Sequence, residues 1–369
     1  MNTIFIYSDE FELFQYSGDH PLRMERLTLT HELCKCYGLF DLPGVRMIRA
    51  CAAEEESLLR FHTPAYLGVL KLASRGEFRG YYTHGLGPGD NPMFEGLWEW
   101  SLLHTGASLQ CAGEVAEGRS RIAFNISGGL HHALPDRASG FCYINDPVLA
   151  ICRLLDKGKR VMYLDIDAHH GDGVQWAFYE DPRVLTVSFH QDGRTLFPGS
   201  GDVVETGKGE GLGYCANIPM LPGSDDSVFR QGFFNIVPPL MERFRPDVVV
   251  SQLGVDTFVD DPLASLELTT SSFSDVVSYL AREAPAWLAL GGGGYAIHNV
   301  ARAWTLAWAI MNGRELDDEM PSSFLSGCGA DFCNMKLRDQ DHVSDRREEC
   351  ARRMREVIRY LEKNVLTRL

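Results

Sequence analysis

Short runs of aliphatic, β-branched and aromatic residues recur along the chain, separated by longer segments whose apolar residues return every three or four positions. Seven such runs stand out, at 3–7, 45–50, 121–126, 160–166, 184–189, 247–253 and 286–290. Continuous apolar runs suit strands buried on both faces, and strands alternating with helices predict a parallel sheet covered on two sides. The expected fold class is α/β: a single three-layer domain over 1–369, with a central, mostly parallel sheet of about eight strands and helices on both faces. No internal repeat, low-complexity tract or Ser/Pro-rich linker divides the chain. Past Asn312 the charge density rises, and Cys350, Met354, Val357, Ile358 and Leu361 recur at helical spacing. That pattern predicts an amphipathic helix over about 344–366, packed on the body and without a catalytic role.

Composition narrows the function classes. With 45% hydrophobic and 23% charged residues, the chain has ordinary globular make-up. Thirty-five basic residues against fifty acidic ones leave a net charge of -15, which opposes direct binding to nucleic-acid phosphates and favours a cationic or neutral partner. No apolar stretch approaches the roughly 20 residues that span a bilayer, and the first residues carry no basic leader, so no membrane partner and a cytoplasmic location are expected. The ten cysteines form no CxxC pair and read mainly as buried small apolar residues in a reducing compartment. An oligomer is compatible with the sequence, which fixes no oligomeric state.

The chemistry sits where strands end. Ser127-Gly128-Gly129-Leu130-His131-His132, Asp165 to Asp172, Gly254-Val255-Asp256 and Gly291-Gly292-Gly293-Gly294-Tyr295 each follow a predicted strand. A parallel sheet gathers such loops at the carboxyl ends of its strands, in one crevice. In extended backbone Asp165, Asp167 and His169 would face the same way. Asp167 and His169 can grip one divalent ion and Asp256 can supply the third ligand, leaving a position open for water. Zn²⁺ is favoured on this mixed donor set, with Fe²⁺, Co²⁺ and Mn²⁺ as alternatives.

Two carboxylates nearly neutralise a divalent ion, so a separate base is required. His131 and His132 supply it, because imidazole moves protons in both directions near neutrality. Asp165 and Asp172 remain to orient the two rings. The glycine run brings backbone close to a ligand and delivers Tyr295, whose phenol can donate to a developing oxyanion. It has neither the Walker Lys-Ser/Thr nor GxGxxG spacing of a phosphate cradle.

These motifs, together with His20-Pro21-Leu22-Arg23, Phe61-His62, Gly140-Phe141-Cys142-Tyr143-Ile144-Asn145-Asp146 and Phe197-Pro198-Gly199, resemble those of the histone deacetylase family in the arginase/deacetylase superfamily. The chain also resembles bacterial histone-deacetylase-like and acetoin-utilisation proteins. The resemblance implies a hydrolase of linear amide C–N bonds, a lysine deacetylase or deacylase acting on acyl-lysine in proteins or peptides. It implies zinc on Asp167, His169 and Asp256, acid/base work by His131 and His132 backed by Asp165 and Asp172, and carbonyl polarisation by Tyr295. It implies a tunnel lined by Gly140, Phe141 and Phe197, with Arg26 beneath it near an internal cavity. Asp90 resembles the rim aspartate that holds the substrate backbone. Structural potassium is implied near Asp165, Asp167, His169, Ser188 and Phe189, and a second ion near Phe178, Asp181, Val184 and Tyr214.

Two positions depart from relatives. Leu196 stands where many eukaryotic members have a second aromatic, which softens the tunnel. Leu263 stands where the polyamine-preferring branch has an acidic residue, so acyl-lysine is favoured over small acetylated amines. An arginase-like binuclear manganese hydrolase needs more bridging carboxylates than the Thr257 that follows Asp256 allows. An inactive acyl-lysine-binding protein is the remaining alternative, against which the intact set of polar residues argues.

Overall fold

The computed structural model describes residues 2–13, 16, 18–78, 80, 83–328 and 332–369, with Cys328 described only in its backbone. Eight parallel strands form one sheet in the order β2-β1-β3-β8-β7-β4-β5-β6. They are β1 Thr3–Tyr7, β2 Val45–Arg49, β3 Ile122–Asn125, β4 Val161–Asp165, β5 Val184–Gln191, β6 Cys215–Met220, β7 Val248–Gln252 and β8 Trp287–Leu290. Except at the exposed edge strand β2, every strand residue is buried, which explains why the runs lack alternation.

Seven of the eight strands lie within a residue or two of the runs read from sequence. The eighth, β6, has no such run, because Asn217 and Pro219 interrupt it. Proline lacks the N–H that a ladder needs, and β6 tolerates it by lying at the sheet edge, paired only with β5.

Helices cover the sheet in two groups. Leu97–Ala116 packs against Asp146–Asp156, Pro64–Ser74 and the strands β3, β8 and β1. In the other group Ile297–Met311 lies between Glu25–Cys36 and Thr270–Glu283, and Asp226–Phe244 packs on both Thr270–Glu283 and the C-terminal helix. That C-terminal helix runs Arg347–Leu361 with a wider turn over Glu362–Leu366, and buries Cys350, Met354, Val357, Ile358 and Leu361. Trp287, Trp304, Trp308, Phe5 and Phe124 are among the fully buried aromatics, each contributing about 1.5–3 kcal/mol of transfer free energy or more. Five of the nine cysteines with described side chains are buried, while Cys36 and Cys152 are half-buried and Cys51 and Cys333 are exposed, so burial is less general than the composition suggested.

Because every strand runs the same way, the loops after β3, β4, β5, β7 and β8 emerge at one end of the sheet. Registers fix their depth. Asp165 lies beside Ser188 on β5 and Gln252 on β7, and Gln252 lies beside Leu290 on β8.

Candidate active site

The strand β4 ends because its last carboxylate takes over the hydrogen bonding of the chain. Asp165 Oδ1 accepts the amide of Asp167 at 3.1 Å, and Asp167 Oδ1 accepts the amide of His169 at 2.9 Å. Two side chains each capturing the N–H two residues on make consecutive turns in place of extended backbone. Asp167 and His169 therefore meet through turn geometry and not through strand alternation, and the Asp165 carboxylate meets His131, whose Nε2 in turn lies 4.0 Å from Asp167 Oδ1.

Asp256, four residues past the end of β7, completes the group. One ligand atom from each of Asp167, His169 and Asp256 lies within 4.8 Å of the others, and all three residues are buried. His169 Nδ1 stands 3.1 Å from Asp167 Oδ1 and 2.9 Å from Asp256 Oδ2. Neighbours hold the carboxylates in place: Gln252 Nε2 and the Gly293 amide donate to Asp167 Oδ2 at 2.5 and 2.7 Å, and the Ala168 amide donates to Asp256 Oδ1 at 2.8 Å. A Cβ on Gly293 would lie 2.3 Å from Asp256 Oδ2 and 2.7 Å from Asp167 Oδ2, so only glycine lets the loop pass this close.

The donor set fits a divalent cation. Burial raises Asp256 to about 8, with Asp167 adding to the rise. Burial also opposes ionisation of Asp167, yet His131 and His169 outweigh it and hold that carboxyl well below the usual range. On His169 burial is outweighed by Asp167 and Asp256, which lift the imidazole to about 10. A divalent ion on these three side chains would supply the positive charge that two buried carboxylates require.

Beside this group stands the histidine pair. His131 Nδ1–H donates to Asp165 Oδ2 at 2.7 Å, and Tyr163 OH donates to the same oxygen at 2.7 Å. His132 Nδ1–H donates to Asp172 Oδ1 at 2.7 Å. The two Nε2 atoms are 3.0 Å apart, a contact that needs one proton between them. On His131 burial is outweighed by Asp165 and Asp167, raising it to about 9, whereas burial and the neighbouring His131 cation lower His132. The shared proton therefore belongs to His131 and leaves His132 as the acceptor. Asn145 supports this loop by donating to the carbonyls of His131 and Ala133 at 3.0 and 2.9 Å, and Asp146 accepts from the amides of Gly129 and Leu130. His170, the second histidine of its pair, turns away to Ser200 and Gln175.

Aromatic rings surround the cluster. Phe197 lies edge-on to His132 with ring centres 5.1 Å apart, Phe141 lies 5.6 Å from Tyr295, and Tyr295 lies 6.4 Å from His169. Gly140 takes φ 49° against His132 and Phe197, and Phe141 takes φ 69°, left-handed values that are rare for a bulky residue. Tyr16 OH donates to the Phe141 carbonyl at 2.6 Å and pins that wall. Asp90 sits on an open groove of about 390 Å³ lined also by Gly140 and Phe197. Arg26 is buried behind the glycine loop, donating to the Gly294 carbonyl at 3.1 Å with its guanidinium 5.3 Å from the Trp304 ring. Leu263 donates its amide to Asp261, whose carboxylate also accepts the amide of Tyr295.

The residues read as potassium ligands divide. Ser188 pairs in register with Asp165 at the site end of the sheet, while Phe189 packs on Phe229 and Phe233. Phe178, Asp181, Val184 and Tyr214 lie at the opposite end of β5. There the carbonyls of Phe178, Asp181 and Tyr214 each accept one backbone amide, and the Asp181 carboxylate pairs with Arg183 at 2.6 Å.

Residues 20–311 match the histone deacetylase domain. The chain belongs to the histone deacetylase family. It is 40% identical to histone deacetylase 3 of Oryza sativa subsp. japonica over 86% of this chain and 62% of the rice protein. It is 38% identical to the acetoin utilization protein AcuC of Bacillus subtilis (strain 168) over 88% of this chain and 86% of that protein. The type-1 histone deacetylase 1 of Dictyostelium discoideum is also 38% identical, over 89% of this chain and 66% of that protein. The chain thus spans less than two thirds of the rice relative and most of the bacterial one. Of the residues that support the site, Asn145 and Asp146 close the motif that begins at Gly140, whereas Gln252, Asp261 and Tyr16 carry no sequence signal of their own. These three act only through contacts between distant segments.

Proposed function

We propose that the chain is a metal-dependent lysine deacetylase or deacylase, hydrolysing the amide between an acyl group and a lysine Nε. The observation that supports it most is the grouping of Asp167, His169 and Asp256 beside two carboxylate-backed histidines whose Nε2 atoms meet at 3.0 Å. Asp167, His169 and Asp256 would hold one ion, Zn²⁺ by preference, which when bound polarises the acyl carbonyl and acidifies water. His132, neutral, would exchange the His131 hydrogen bond at its Nε2 for one from water, and takes a proton there as water adds to the carbonyl carbon. Tyr295 OH donates to the oxyanion; burial, with Asp256 and Asp167, raises its pKa, so the phenol stays protonated. As the C–N bond breaks, the histidine pair returns a proton to the leaving nitrogen, giving acetate and free lysine.

The substrate class follows from the walls. Phe141 and Phe197 suit a lysine stem, each buried methylene of which gains about 0.8 kcal/mol. Asp90, on the groove beside Gly140 and Phe197, would accept a hydrogen bond from substrate backbone, and the net charge of -15 favours a basic peptide. Backbone carbonyls around Asp165 and Ser188 are our proposed structural potassium site. Among the described residues the metal-ligating group is a single set of three, which supports one catalytic ion over an arginase-like pair. No helix is long and apolar enough to cross a membrane. The test is acetate release from an acetyl-lysine peptide by wild type and Tyr295→Phe. We expect turnover in wild type and a kcat about 100-fold lower in the variant, with KM little changed. Unchanged turnover in folded Tyr295→Phe would refute the role given to the phenol.

A further inference from the structure

Four consecutive glycines deliver Tyr295, and two of them, Gly292 and Gly294, hold φ 130° and 137°. Such a segment has little conformational restraint of its own. Its position must come from what its polar atoms meet. The Gly293 amide meets Asp167, the Gly293 carbonyl accepts from Val255, and the Gly294 carbonyl accepts from Arg26. At Tyr295 itself the partner is Asp261. Oδ2 of that carboxylate accepts the Tyr295 amide at 2.8 Å and the Ala296 amide at 3.3 Å, while Oδ1 accepts the Leu263 amide at 3.0 Å.

Asp261 is only 7% exposed, and the described hydrogen bonds of its carboxylate all come from backbone N–H groups. Ala296 is the N-cap of helix Ile297–Met311 and makes no side-chain cap bond. The carboxylate of Asp261 therefore caps that helix from another loop, where a negative charge is favoured by the helix dipole. The same loop carries Asp256. One side chain thus fixes the distance between the segment that bears a ligand and the residue that must meet the acyl oxygen.

We infer that Asp261 is a positioning residue for the reaction, setting where the Tyr295 phenol stands relative to the Asp256 loop. The inference rests on the deacylase reading and deepens it. An amide cannot replace this carboxylate, since both oxygens accept N–H groups and an asparagine NH₂ would face one of them. Tyr295 would then be released on a glycine hinge, and a misplacement of about 1 Å at a reacting group costs up to about 100-fold in rate.

The test is a double-mutant cycle on acetyl-lysine peptide with wild type, Asp261→Asn, Tyr295→Phe and the double variant, each checked for zinc content and thermal unfolding. In the wild-type background Asp261→Asn is expected to lower kcat at least about tenfold with KM within about threefold. In the Tyr295→Phe background it is expected to change kcat less than about twofold, because the group it positions is gone. Equal losses in both backgrounds, or no loss in the first, would overturn the inference while leaving the deacylase reading intact. No loss from Tyr295→Phe alone would overturn the inference together with the role given to the phenol, and no turnover by wild type would overturn the deacylase reading itself. Should Asp261→Asn fail to fold, Asp261→Glu, which keeps the charge and moves the acceptor by one methylene, runs the same cycle with the same two outcomes.

Discussion

Gly140 stands where the proposed lysine channel meets His132, the proton acceptor of the proposed reaction, and Gly140→Ala measures how closely they fit. A Cβ there would lie 2.5 Å from His132 Cδ2 and 2.8 Å from Phe197 Cε1, against 3.4 Å or more for ordinary contact. Relief requires the His132 ring to move by about 0.9 Å or the backbone to leave φ 49°. The ring is held on both sides, by Asp172 at Nδ1 and His131 at Nε2, so its motion breaks one or both bonds. Left-handed backbone costs alanine about 1–2 kcal/mol, which in a chain of this size lowers Tm by only about 1–3 °C. Displacing a proton-transfer group by about 1 Å costs about 100-fold in kcat. Activity should therefore fall far more than stability. The assay pairs kcat and KM on an acetyl-lysine peptide with a thermal melt; a folded variant within about twofold of wild-type kcat would show that His132 is not held as described.

Two buried histidines, His62 and His104, make stability fall in acid. Burial lowers His62 to about 4 and His104 to about 3, against about 6.5 in an unfolded chain. Below 6.5 the unfolded chain takes up protons that the folded one refuses, so stability falls with pH through that window, by up to about 1.4 kcal/mol per unit for each residue. Tm should drop between pH 7.5 and 5, and less steeply in His104→Gln; parallel curves would remove His104 from the account. Leu263→Glu should raise kcat/KM for acetylspermidine about fivefold relative to an acetyl-lysine peptide, as an exposed ion pair supplies up to about 1 kcal/mol. An unchanged ratio would place Leu263 away from the substrate.

Much of this was legible in the amino-acid order because the chemistry is concentrated in short segments behind apolar strands. Asp165, Asp167, His169 and Asp172 fall within eight residues, and the His-His and glycine motifs each follow a strand. What the pattern could not convey was local backbone. The turns that set Asp167 against His169 depend on side-chain capture of amides, so the extended backbone expected past Asp165 is absent. Strand β6 was hidden by Pro219 at a sheet edge, where the usual rule against proline relaxes. Asp261, Gln252 and Tyr16 were silent for a different reason: each acts on a segment distant in the chain, and an isolated acid, amide or phenol has no periodicity to reveal its partner.

In the proposed reaction, catalysis depends on one ion held by Asp167, His169 and Asp256. This dependence is tested most directly by stripping the protein with a chelator, restoring Zn²⁺ in steps, and following bound metal and acetyl-lysine turnover together. Turnover should vanish on stripping and return in proportion to zinc up to one ion per chain, with Asp256→Ala neither retaining the ion nor regaining activity. Full turnover in the stripped protein, or activity that rises only as a second ion binds, would contradict the account.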